Sequence, residues 1–226
     1  MRRKISILLL IACNYIFSQE KKIIEIIQAG SFEKNEKSNP GANILKKNDE
    51  TRVHLFHDGM NIYSDYALFF KKNNSFKASG NVVVNQGDSI KLYSKTLDYD
   101  GNNRKVVAKG NVDFYNNNTN LKTNLLYHDR NAKEFFFEEG GVIEDSLTII
   151  KSREGKYFLE NSKYNFKKNV IINNPNYFIE SNSLDYFTKT EHAFFYGPTK
   201  IIGSDYEIYC EKGFYDTKTK DGYFLR

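Results

Sequence analysis

A repeat of about 29 residues constrains this chain more than any other feature. A valine recurs as Val53, Val82, Val112, Val142 and Val170, with Thr199 in sixth place, in steps of 29, 30, 30, 28 and 29 residues. An aromatic recurs independently as Phe69, Tyr99, Tyr127, Tyr157, Tyr186 and Tyr215, and five residues before each stands Ser64, Ser94, Lys122, Ser152, Ser181 or Cys210. A glycine two residues ahead of the valine is present as Gly80, Gly110 and Gly140, becomes Lys168, and returns as Gly197. Three columns holding one period specify a repeat architecture before any single residue is interpreted.

Within a period, short apolar segments alternate with polar turns, the signature of many short strands. Val82-Val83-Val84, then Asn85-Gln86-Gly87-Asp88, then Ile90-Lys91-Leu92-Tyr93 reads as a hairpin, and a second reversal follows the aromatic at Gly101-Asn102-Asn103. The composition agrees: Tyr 16 and Phe 18 suit a pleated surface, and no segment after the first twenty residues holds a sustained helical period. Alternate residues of a strand share a face. Val82 and Val84, Leu97 and Tyr99, Val112 and Phe114, Leu125 and Tyr127, Val142, Val170 and Ile172, and Leu184 and Tyr186 are therefore expected to form one apolar lining, with Asp98, Asp113 and Asp185 on the wet side. The fold expected is all-β, a folded-over antiparallel sheet of about six repeats, with the glycine column at its bend.

The chain starts with Met1-Arg2-Arg3-Lys4, an apolar run from Ile5 to Ala12, and then Cys13 to Gln19. A basic start, a short apolar core and small residues form a secretory signal peptide, expected over 1–19; the stretch is too short to span a bilayer. Leu10-Ile11-Ala12-Cys13 also fits a lipoprotein box, the lesser alternative. Export places the rest, residues 20–226, in the periplasm as a single domain: a first strand at Ile23–Ala29 and a long polar loop over Phe32–Glu50, then the repeats over 51–226. Loss of 1–19 removes three basic residues, so the net charge falls from +5 to +2, which argues against a nucleic-acid partner. Cys210 is then the one remaining cysteine, sitting in a small-residue column rather than a reactive setting.

The motif A-x-G-N-V at Ala78–Val82 and Ala108–Val112, followed by S-x-x-L-x-Y, resembles the repeat of the OstA-like family. That family includes the lipopolysaccharide-transport bridge LptA and the N-terminal domain of the outer-membrane translocon LptD. Phe195-Tyr196-Gly197-Pro198-Thr199-Lys200-Ile201 and Tyr209-Cys210-Glu211-Lys212-Gly213-Phe214-Tyr215-Asp216 resemble its OstA-like branch. The match spans about Val53–Arg226. Lys168 in place of glycine, Lys122 in the small column and the lack of a C-terminal barrel depart from the pattern. The resemblance implies a β-jellyroll, or taco-shaped groove, that shields the acyl chains of lipopolysaccharide or a related glycolipid. It also implies neighbouring modules joined through edge strands and association with the outer membrane.

Candidate chemistry is sparse. His54 and His57 would face opposite sides of a strand and so cannot share a metal; Asp98 and Asp100 share a face, but other copies do not keep both; the serine column has no histidine partner. No enzyme activity, cofactor or metal is expected. A second reading, an exported β-solenoid spacer or adhesin with a closed core and no lipid, remains open, and the width of the interior separates the two.

Overall fold

The computed structural model describes residues 22–226, so the expected signal peptide and Cys13 lie outside the described residues. Three short strands come first: β1 (Glu25–Gln28), β2 (Ser31–Lys34) and β3 (Asn43–Lys46). β4 (Val53–His57), β5 (Met60–Ser64) and β6 (Tyr66–Phe70) follow, then four long strands, β7 (Ser75–Gln86), β8 (Ile90–Asp100), β9 (Lys105–Asn116) and β10 (Thr119–Asp129). Next are the short β11 (Glu134–Phe137), β12 (Gly141–Asp145), β13 (Thr148–Ser152) and β14 (Glu154–Phe158). The last group is β15 (Lys163–Asn174), β16 (Tyr177–Phe187), β17 (His192–Gly203), β18 (Glu207–Asp216) and β19 (Gly222–Leu225). Every pairing is antiparallel, and most join strands adjacent in sequence; the six others, such as β3 with β6 and β5 with β7, skip over short strands of the opposite layer.

This one sheet is folded along a line that each long strand crosses at its middle. The first layer holds β2, β3, β6, half of each of β7 to β10, then β11, β14, half of each of β15 to β18, and β19. The second holds β1, β4, β5, the other halves, β12 and β13. At the fold line Gly80-Asn81 and Gly110-Asn111 take two successive left-handed conformations, and each interrupts the ladder as a bulge. Two residues at φ > 0 turn a strand sharply, and glycine does so without a Cβ penalty. Lys168-Asn169 makes the same corner with φ of 63 and 55° and no glycine. Lys168→Gly is therefore expected to raise stability by about 1 kcal/mol, read by urea denaturation; a loss would mean that the corner is unstrained.

Beside several of the corners a small residue holds a backbone carbonyl. Ser64 Oγ donates to the Tyr66 carbonyl (3.0 Å), Ser94 to Thr96 (3.0 Å) and Ser181 to Ser183 (3.1 Å). In β10 this duty falls to Thr123, whose Oγ1 donates to the Gly140 carbonyl at 2.7 Å, and not to Lys122, which points outward. Placing Thr123 in the column leaves Ser94, Thr123, Ser152, Ser181 and Cys210 each 29 residues apart.

The same one-residue shift corrects three lining residues. Asn116 pairs with Thr119 across a two-residue turn, which sets Leu126 and His128 on the inner face, opposite Ala108 and Val106. Leu125 and Tyr127 are outward; Tyr127 stacks on Phe136, also outward, with ring centroids 4.7 Å apart. A slip of one residue flips every side chain of a strand, and the turn decides it. Val142 is also outward, opposite Lys122 and Lys151, while Gly141 and Ile143 face in. Gly141 occupies the valine position because the Phe137 ring fills that space: a Cβ on Gly141 would come within 2.6 Å of it, and one on Gly155 within 2.4 Å. Gly155→Ala should cost about 1–3 kcal/mol by overpacking, measurable as a lower thermal midpoint.

The other residues of that lining set lie on the inner face. Val82, Val84, Leu97, Tyr99, Val112, Phe114, Val170, Ile172 and Leu184 are buried, and Tyr186 is half-buried against the core. The polar stretch 32–50, expected as a loop, contains β2 and β3. Ala42 and Leu45 are fully buried and Ile44 nearly so, so three apolar residues suffice to place a strand within a run of lysine, asparagine and glutamate. Burying one aliphatic side chain is worth about 1.5–3 kcal/mol, which outweighs weak local propensity.

Candidate functional site: an apolar interior with a side-chain-closed mouth

The two layers face each other over one continuous apolar core. Phe114 of the second layer meets Phe135 of the first at 4.7 Å between centroids, and Phe76, Phe166, Phe195 and Leu184 are essentially inaccessible. Two small voids remain. One, about 30 Å³, lies among Met60, Ile62, Phe76, Leu97, Tyr99, Ala108, Leu126 and His128; the other, also about 30 Å³, lies among Phe114, Leu121, Phe137, Ile143, Tyr164 and Phe166. Each has space for roughly two waters and is almost wholly apolar, so neither holds an acyl chain in this closed form.

Among the described residues, strands pass from one layer to the other only along the fold line. Opposite it, where two rows of turns confront each other, the mouth is closed by side chains and, at the N-terminal end, by the segment Lys22–Ile24 as well. At the N-terminal end the β4–β5 turn meets the turns of the first layer. His57 Nδ1 lies 2.7 Å from the Tyr99 hydroxyl, and Arg130 donates from Nη1 to that hydroxyl (3.1 Å) and from Nη2 to the Asp58 carbonyl (2.9 Å). The Asp58 carboxylate takes ion pairs from Arg130 (3.1 Å), Arg104 and Lys22. The Arg130 side chain is 5% and that of Asp58 11% exposed. Burial alone would raise the Asp58 carboxyl, but the Lys22 hydrogen bond and the Arg130 and Arg104 charges outweigh it and hold it below the usual carboxylate range. The segment Lys22–Ile24 crosses the same gap: the Lys22 carbonyl accepts from Asn74 Nδ2 (3.1 Å), and the Ile24 amide donates to Asn74 Oδ1 (2.8 Å).

Towards the C-terminus tyrosines replace ions. Tyr164 meets Thr119 across the mouth, and Tyr215 meets Tyr206. Burial pushes both the Tyr164 and Tyr215 phenols up, so they stay protonated as hydrogen-bonding groups. An open cleft of about 470 Å³ lies among Tyr177, Phe178, Tyr206, Tyr215 and Thr217.

The model of a family described as OstA-like protein matches residues 21–182. The chain belongs to the OstA-like family. Beyond residue 182, β17 and β18 continue the same pairing and fold line in this OstA-like chain, and β19 pairs with β18. Among solved structures, it is similar to the crystal structure of LptH, the LptA homologous periplasmic component of the conserved lipopolysaccharide transport device from Pseudomonas aeruginosa. The identity is 18%, over 59% of this chain and 79% of that one, with a TM-score of 0.27. No curated protein matches.

The residues weighed earlier for catalysis have local duties. His54 faces outward, stacked on Tyr63 (4.3 Å) and hydrogen-bonded to Asn61 (2.9 Å). Asp100 accepts from the Asn102 and Asn103 amides at 3.0 Å, an Asx turn. Among the described residues no group of His, Cys, Asp and Glu could hold a metal. Cys210 is buried, and burial raises its thiol pKa, which disfavours the reactive thiolate. The mouth cluster of His57, Asp58, Arg104 and Arg130 was missed at the sequence level. Its members lie up to 73 residues apart, and the only local signal is a His-Asp pair entering a tight turn.

Proposed function

We propose that this OstA-like chain is a periplasmic, non-enzymatic transport module for lipopolysaccharide or a related glycolipid. It shelters acyl chains between the two layers and serves as a bridge or scaffold in outer-membrane assembly. The carrying observation is that, among the described residues, one long side of the apolar interior is closed by side chains and the short segment Lys22–Ile24, with no strand ladder across it. Among the described residues no strand ladder spans that side, so the layers can part there without loss of backbone pairing. Family membership supports the same reading. The energetic need is large: at about 0.8 kcal/mol per methylene, a chain of a dozen methylenes resists water by roughly 10 kcal/mol. The sheet edges suit assembly with like modules. Ile23, Ile27 and Phe32 are exposed at the N-terminal edge, and Tyr209, Tyr223 and Leu225 at the C-terminal one. There β19 covers only the half of β18 that lies in the first layer.

Photo-crosslinkers at Val112, Phe114 or Leu126 should capture lipopolysaccharide in cells while one at Asp113 does not. Capture from Asp113 alone would sink the proposal. The filled interior favours a second reading, a structural spacer that never opens; in that case native mass spectrometry of the exported protein finds no bound lipid and no inner position crosslinks.

A further inference from the structure

The mouth cluster carries more cation than anion. Lys22, Arg104 and Arg130 converge on the one carboxylate of Asp58, and Arg104 Nε is buried without an acceptor among the described residues. Asp129 and Asp100 stand nearby, but Asp129 is engaged by Lys105 (3.4 Å) and both accept turn amides. Directly beneath lies the void bounded by Tyr99, His128 and Met60. Parting the layers draws Asp58, on the second-layer turn, away from Arg130 and Arg104, on first-layer turns. Two guanidinium groups are then left at the entrance of an apolar slot.

We propose that this cluster is an exchangeable counter-ion site. An amphiphile entering the slot seats an anionic head group on Arg104 and Arg130 in place of Asp58, with its chain along Leu97, Ala108 and Leu126. The inference rests on the glycolipid reading and sharpens it to a charge rule. A neutral amphiphile closing over the same slot leaves a buried arginine with no counter-charge, a heavy penalty, while an anionic one restores the pair. Two parallel N–H donors per guanidinium match a carboxylate or phosphate oxygen pair.

The test uses a fluorescent fatty acid, ionised cis-parinaric acid, and its neutral methyl ester, titrated into the exported protein. The natural chain should bind the acid at least about tenfold more tightly than the ester. Arg130→Met should abolish that preference, and Arg104→Gln, at a side chain 38% exposed and so tolerant of change, should reduce it. Asp58→Asn should tighten the acid but not the ester. Should Arg130→Met fail to fold, Arg104→Gln alone decides the arginine arm. Equal binding of acid and ester, unchanged in the variants, overturns the charge rule and leaves the glycolipid reading standing. Binding of neither probe overturns both.

Discussion

Replacing Asp58 by alanine is expected to lower the unfolding free energy by about 3–5 kcal/mol, because it strands buried Arg130 without its counter-charge. For a domain of this size that is a fall of about 2–4 °C in the thermal midpoint per kcal/mol. Arg104 and Lys22, more exposed at 38% and 66%, lose partners that water can replace. The loss therefore concentrates in Arg130, and Asp58→Ala combined with Arg130→Met should cost less than the two single changes summed. Urea denaturation of the four chains measures this directly. A cost below about 1 kcal/mol for Asp58→Ala would show that the cluster is solvated and does not hold the mouth.

The second large effect is acid sensitivity centred on His128. Its ring lies on Phe135 with centroids 3.7 Å apart, at the inner position that β8 gives to Tyr99. Burial first, and then the Arg130 charge, push its pKa down from 6.5 to about 3. The folded state thus holds the ring neutral while the unfolded chain takes up a proton below 6.5. Stability is full above that pH and falls as pH drops from 6.5 towards 3, by up to about 1.4 kcal/mol per unit. Asp58 acts in a lower window. Its folded pKa is depressed, so its contribution is complete above the ordinary 3.8 and is lost only as pH falls below it. Asp100 and Asp129 are likewise lowered, chiefly by backbone amides, which keeps these two carboxylates out of the range from 6.5 to 4.5. His128→Phe should flatten the stability profile in that range. A profile as steep as the parent's would assign the slope to another group.

How far the sequence could be followed varied with the kind of information each position carries. Val82, Val84, Leu97, Tyr99, Val112 and Phe114 were legible because apolar and polar residues alternate cleanly around turns of regular length. Leu125-Leu126-Tyr127-His128 was not, since either frame yields a leucine followed two residues later by a ring; a two-residue turn at Asn117-Asn118 decided between them. Phe135-Phe136-Phe137 shows why alternation fails locally. The outer face also carries rings, with Phe136 on Tyr127 and Lys156 4.9 Å over Phe158. The mouth cluster was illegible for a different reason. Charges on separate turns become neighbours only when two layers close, and no period records that event.

The pairing order also bears on how the chain reaches its native state. Since almost every strand pairs with its sequence neighbour, each hairpin can dock as soon as its second strand emerges, and loop-closure entropy is met in small instalments. Assembly can then proceed as a zipper from either end, with stability accumulating through neighbour-to-neighbour contacts. The growing front presents a free sheet edge at every stage, so capture of that edge by another chain is the hazard that faces an incomplete molecule.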